Sequence, residues 1–210
     1  KHSAMPLATG NTVVLLPSEH APVTALKVAE LFAEAGFPAG AFNVVTGLGA
    51  EIGDTLTCHP LVRMVGFTGS SRIGHHISAL CGKHAKRYSL EMGRKNPLVV
   101  LQDAELDKAV QGSVIGSFLY QGQICMASSR IYVEKSIHDH FLKKFLAAVE
   151  SLGMKDLRSP STMIGPIIHE RQRKRIKQHL NDAISKGATV RCGGNWHGNR
   201  CEPTVLTGVE

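Results

Sequence analysis

The sequence is poor in aromatic residues, 5% of 210, with a single tryptophan. It has no long apolar run either. Stretches such as Val13-Val14-Leu15-Leu16 fall far short of the roughly 20 residues a membrane span requires. Neither a secretory leader nor a lipidation signal is expected. Five cysteines, Cys58, Cys81, Cys125, Cys192 and Cys201, form an odd set without tight pairing. That pattern argues against a disulfide scaffold and for reduced thiols in a cytoplasmic compartment. His59, His75, His76, His84 and Cys81 lie close together but lack paired metal-ligand spacing, which sets zinc aside.

Acidic residues are outnumbered, 17 against 24 Lys and Arg, for a net charge of +7. The excess gathers in Arg171, Arg173, Lys174, Arg175 and Lys177, while Ile176, Leu180, Ala183 and Ile184 recur at helical spacing. The basic side chains therefore belong to the wet face of an amphipathic helix. With no stacking aromatics or zinc knuckle beside them, a nucleic-acid partner is disfavoured.

What is present is regular alternation. Asn11–Leu15 reads as a strand, and Ala21–Ala35 as a helix with Pro22 in its first turn and Val23, Leu26, Val28, Ala29, Leu31 and Phe32 as buried positions. Phe42–Thr46 is a second strand, and Gly47-Leu-Gly49 opens a second helix. Val62–Thr68 is a third strand, Ser71–Leu80 a third helix and Tyr88–Glu91 a fourth strand. Apolar strands alternating with helices predict a doubly wound parallel sheet covered on both faces, with the breaks after Leu16, Thr46 and Thr68 on one rim. The pattern restarts with strands at Leu98–Leu101, Arg130–Glu134 and Thr189–Cys192 and helices at Leu106–Phe118, Ile137–Leu152 and His169–Lys186. A domain boundary is placed near Gly93.

Several residues can carry chemistry. Gly47-x-Gly49-x-x-x-Gly53 is not the dinucleotide fingerprint, since its third glycine comes one place late. Phe67-Thr68-Gly69-Ser70 offers backbone N–H groups and a hydroxyl to an anion, although Ser70 serves equally as a plain N-cap. Cys125 sits in the polar loop Gln121-Gly-Gln-Ile-Cys-Met-Ala-Ser-Ser-Arg130 between helix and strand. Glu91 lies inside an apolar strand, where an acidic side chain is costly unless paired or working.

Asn11-Thr-Val-Val-Leu-Leu-Pro-Ser-Glu19, Gly66-Phe-Thr-Gly-Ser70, Leu90-Glu-Met-Gly-Arg-Lys-Asn-Pro97 and Gly122-Gln-Ile-Cys125 follow one another in this order. Together they resemble the NAD(P)-dependent aldehyde dehydrogenase superfamily over essentially the whole chain. The resemblance implies an α/β architecture: a Rossmann-like, partial dinucleotide-binding domain at 1–93, then a partial α/β catalytic domain at 94–210. It implies Cys125 as the nucleophile that forms a thiohemiacetal and then a thioester, and Glu91 as the base for hydrolytic water. It implies cofactor contacts at Ser18, Glu19, Gly49, Phe67, Gly69, Ser70, Met92 and Gly93. A carboxylate at Glu19 would repel a 2′-phosphate, so NAD is favoured over NADP. The implied partner is a small aldehyde, and full-length members are expected as homo-oligomers. The Cys125 loop resembles that of members acting on aromatic aldehydes.

The chain also departs from the family's pattern. Leu16 stands where the family carries Lys, and Arg94 where it carries a second Gly. The upstream Trp-Asn-Phe-Pro and downstream Glu-x-Phe-Gly-Pro segments do not occur between Lys1 and Glu210. An internal piece of the family fold is the expectation, with little turnover by itself. A non-catalytic protein that keeps the fold is the alternative.

Overall fold

A computed structural model describes residues 3–209; Lys1, His2 and Glu210, where the expected internal start and stop fall, lie outside the described residues. The chain forms two compact units, one ending at Met92 and one beginning at Gly93.

The first unit is built from parallel strand pairs. After a short helix α1 (Ala4–Ala8), β1 (Val13–Leu15) leads into α2 (Pro22–Glu34) and returns as β2 (Phe42–Val44), parallel to β1 with Leu15 opposite Val44. Pro22 occupies the first turn of α2, where its missing N–H costs nothing. Next come α3 (Gly49–Cys58), β3 (Met64–Gly69), α4 (Ser71–Lys83) and β4 (Arg87–Met92), with β3 and β4 paired in parallel. The α3 and α4 helices are tied by His76 Nε2 to Asp54 Oδ1 at 2.8 Å. Lys86 Nζ donates to the carbonyls of Thr57 and His59 at 2.7 and 2.6 Å, a cation at the negative end of α3.

The expected α/β fold holds, as parallel strand pairs joined by helices, and two details of it differ. The described strands form separate two-stranded sheets, because a helical crossover does not oblige successive strands to be neighbours. Coverage on both faces also fails. In β3 exposed and half-buried residues alternate, the mark of a strand with one covered face. On α2, Val23, Leu26, Val28 and Leu31 are exposed, while Ala29 and Phe32 are half-buried. Phe32 packs edge-on to Phe37 and tilted against Phe42, each at 4.7 Å between ring centres, so only the stripe facing β2 is buried.

The second unit holds the larger core. β5 (Pro97–Val100) crosses through α5 (Leu106–Phe118) to the parallel β6 (Arg130–Val133), and α6 (His138–Leu152) packs beside α5. Val100, Val110, Val114, Phe141, Phe145 and Val149 form one buried cluster, with Phe141 and Phe145 stacked at 5.6 Å. Their i, i+4 spacing puts both rings on one face of α6. Phe141 is 2% exposed, and Phe141→Ala is expected to cost about 3–5 kcal/mol in urea denaturation. A loss below about 1 kcal/mol would mean that this cluster does not hold the unit together.

The remainder is α7 (Glu170–Ser185), β7 (Thr189–Cys192), a hairpin of β8 (Trp196–His197) and β9 (Arg200–Cys201), and β10 (Val205–Thr207), antiparallel to β7. On α7, Arg171, Lys174, Arg175 and Lys177 are exposed. Arg173 is half-buried, paired with Glu170 and bonded to the Ile167 carbonyl. Lys177 lies 4.9 Å from the centre of the Trp196 ring. Among the described residues no helix is long and apolar enough to cross a membrane.

Candidate active site

The thiol loop of the second unit is held by side-chain amides from both ends. Leaving α5, Tyr120, Gln121 and Gly122 all adopt positive φ, at 51°, 58° and 69°. For the two non-glycine residues this conformation costs on the order of 1–3 kcal/mol each and persists only where surrounding bonds impose it. Those bonds come from side-chain amides. Gln121 Nε2 donates to the Met163 carbonyl at 2.9 Å and Gln123 Nε2 to the Pro166 carbonyl at 3.2 Å. Gln123 Oε1 accepts from the Ile168 N–H at 3.0 Å.

Cys125 itself lies in a turn closed by the Ala127 N–H donating to the Ile124 carbonyl at 3.1 Å. On the other side Asn96 Nδ2 donates to the carbonyls of Cys125 and Ala127, at 2.7 and 3.1 Å. Arg130 fixes Asn96 in turn: its N–H donates to the Asn96 carbonyl, and its guanidinium to the Lys95 carbonyl at 2.6 Å. Ser117 Oγ and the Ser128 N–H complete the loop's bonds to the end of α5.

The thiol is thus presented outward from a fastened loop. Of the five cysteines Cys125 is exposed, Cys81 is buried, and Cys58, Cys192 and Cys201 are intermediate. Burial pushes the Cys81, Cys192 and Cys201 thiols up from their ordinary value.

In the first unit the carboxylate and the glycine turn meet at the carboxyl end of the β3/β4 pair. Glu91 is half-buried and stands opposite Thr68, and Met92 stands opposite Gly69. Ser70 caps α4, its hydroxyl accepting from the Ile73 N–H at 3.4 Å. Two glycines permit the close packing. A Cβ on Gly69 would meet the Phe67 ring at 2.4 Å, and one on Gly74 would meet the Met92 sulfur at 2.5 Å. Met92 therefore spends its side chain on α4, leaving its backbone at the strand end.

At the carboxyl end of the β1/β2 pair, Ser18 Oγ accepts from the His20 N–H at 3.3 Å, and the exposed Glu19 lies 3.9 Å from His20. Gly49 opens α3 with free space where a Cβ would stand. Gly93 and Arg94 are exposed, and Leu16 is half-buried. Among the described residues no group of three His, Cys, Asp or Glu could hold a metal ion.

The donor set suits a dinucleotide. The first turn of α4 holds no acidic residue, so its positive end and the Ser70 hydroxyl favour a phosphate. Glu19 is an exposed carboxylate, a side chain that only accepts hydrogen bonds when ionised. Asn96 and Gln123 are the residues that sequence reasoning missed. Asn96 lies in the Leu90–Pro97 segment, but its partners are 29 and 31 residues away and leave no local signal.

The family model for the aldehyde dehydrogenase family matches residues 1–210, and the chain belongs to that family. It is 44% identical over 206 residues to succinate-semialdehyde dehydrogenase [NADP(+)] of Escherichia coli, covering 97% of this chain and 43% of that protein. It superposes with a TM-score of 0.94 and 40% identity on a salicylaldehyde dehydrogenase from Pseudomonas putida complexed with salicylaldehyde, covering 99% of this chain and 44% of that one. Betaine aldehyde dehydrogenase from Staphylococcus aureus in complex with NAD+ gives a TM-score of 0.91 at 35% identity, covering 97% of this chain and 42% of that one. The chain spans less than half the length of these relatives.

Proposed function

We propose that the protein oxidises an aldehyde to a carboxylic acid through a covalent intermediate on Cys125, with Glu91 as the base of the hydrolytic step. The observation that carries this reading is the contrast in access among the thiols: Cys125 is exposed on a loop fastened from both sides, while Cys81 is buried and Cys58, Cys192 and Cys201 are half-buried.

The Cys125 thiolate adds to the aldehyde carbon, and the carbonyl oxygen takes the negative charge. The Cys125 backbone N–H donates to that oxygen in this reading. A nicotinamide held there would supply the hydride acceptor, and loss of hydride from the Cys125-bound carbon leaves a thioester on sulfur. Glu91 then takes a proton from water as the water oxygen adds to the thioester carbonyl. Collapse releases the acid and returns the thiolate.

Ser70 and the start of α4 hold the pyrophosphate, aided by the backbone of Gly69, and Ser18 and Glu19 hold the adenosine ribose. Gly49, Phe67, Met92 and Gly93 complete the contacts with backbone and apolar surface. A carboxylate at Glu19 disfavours a 2′-phosphate, so NAD is the preferred cofactor. The named relatives include an NADP(+) enzyme and a complex with NAD+, so the preference rests on Glu19 alone.

Competitive alkylation tests the thiol assignment. At neutral pH Cys125 is expected to react with iodoacetamide at least about tenfold faster than Cys81, Cys192 or Cys201, read by peptide mass, and added aldehyde should slow it. Equal labelling across these thiols, untouched by aldehyde, would favour a non-catalytic protein that keeps the fold.

A further inference from the structure

The turn that carries Cys125 has one peptide whose orientation the turn itself does not fix. The Ala127 N–H donates to the Ile124 carbonyl, so Cys125 and Met126 are the two central residues. In such turns the central peptide can lie either way up, and the two orientations distinguish the common turn types. The oxygen of that peptide is the Cys125 carbonyl oxygen, and it takes no part in closing the turn. Asn96 Nδ2 holds it at 2.7 Å. The same nitrogen reaches the Ala127 carbonyl at 3.1 Å, so a single amide spans the central peptide and the closing residue.

We propose that Asn96 is a positioning residue that locks the Cys125–Met126 peptide in one orientation and thereby fixes how the Cys125 thiol is presented. This rests on the reading of Cys125 as the nucleophile. Rotation of that peptide changes ψ of Cys125 by well over a right angle. The carbonyl's partial negative charge would then swing to the opposite face of the turn, altering the field in which the thiolate forms. Asn96 opposes the rotation with a donor whose own backbone is anchored at the start of β5 by Arg130. The Gln121 and Gln123 amides fix the entry to the loop but touch neither carbonyl. They cannot replace Asn96 at this peptide.

Asn96→Asp keeps the shape and removes the donor, and Asn96→Ala removes the side chain. Both are to be made in the protein's full chain and checked by thermal melting. In each folded variant iodoacetamide labelling of Cys125 is expected to slow about tenfold at neutral pH, its pH–rate profile moving to higher pH. Labelling of Cys192 and Cys201 should stay at the wild-type rate. Aldehyde oxidation should lose about a hundredfold in kcat, the size of effect that small misplacement of a reacting group produces. KM for NAD should change by less than about threefold, as expected when cofactor binding is untouched. A folded variant with the wild-type Cys125 profile and kcat within about twofold would overturn the proposal. If wild-type Cys125 itself reacts no faster than Cys192, the nucleophile reading is what fails.

Discussion

Replacing Cys125 by alanine is expected to lower aldehyde-dependent NADH formation in the protein's full chain by about 10⁴-fold or more, the scale on which removal of a catalytic nucleophile acts. The variant should fold as well as the wild type, because Cys125 is exposed and contributes little to packing. NAD binding should survive, since all the residues assigned to it except Gly93 lie in the unit ending at Met92, and the thiol lies in the other. The expected signature is therefore a collapse of kcat with cofactor affinity intact. Cys125→Ser should be nearly as damaging, because a hydroxyl at neutral pH is ionised far less than a thiol. Turnover within about tenfold of wild type in Cys125→Ala would exclude covalent catalysis at this residue.

Glu91→Gln is expected to separate the two halves of the reaction. Glutamine preserves the shape of the side chain on β4, opposite Thr68, but cannot accept the proton that water must lose. Thioester formation should proceed, giving a burst of about one NADH per thiol, and steady-state turnover should fall about 10²–10⁴-fold. The acid limb of the wild-type kcat profile, which reports ionisation of the base, should be absent from what remains. A fall in burst and steady state by the same factor would place Glu91 before acylation. A variant with unchanged steady state would remove it from the mechanism.

Much of the fold was legible where start and stop signals are strong. Helix α5 at Leu106–Phe118 and strand β7 at Thr189–Cys192 match their expected ranges residue for residue, the latter preceded by the helix-ending Gly187. The β8/β9 hairpin and β10 escaped notice because strands of two or three residues carry no periodicity. Helix α2 misled for the opposite reason: its apolar residues surround the axis, and periodicity alone cannot say which stripe finds a partner. At the site, the thiol loop stood out because glycine and small residues flank a cysteine between a helix and a strand. Its restraints did not. The amides of Asn96, Gln121 and Gln123 reach carbonyls 29 to 43 residues away, and nothing in their neighbours announces those partners. Ser70 was legible as the N-cap of α4, the role its hydrogen bond to the Ile73 N–H shows.

Trapping the intermediate bears most directly on covalent catalysis by Cys125. The full-chain Glu91→Gln protein, given NAD and an aldehyde it accepts and then quenched in acid, should carry one acyl group on the peptide containing Cys125. Its added mass should be that of the aldehyde less two hydrogens, as a thioester requires and a reversible thiohemiacetal does not. An unmodified Cys125 peptide after NADH has formed, or an acyl group on any of the other four cysteines, would contradict the account.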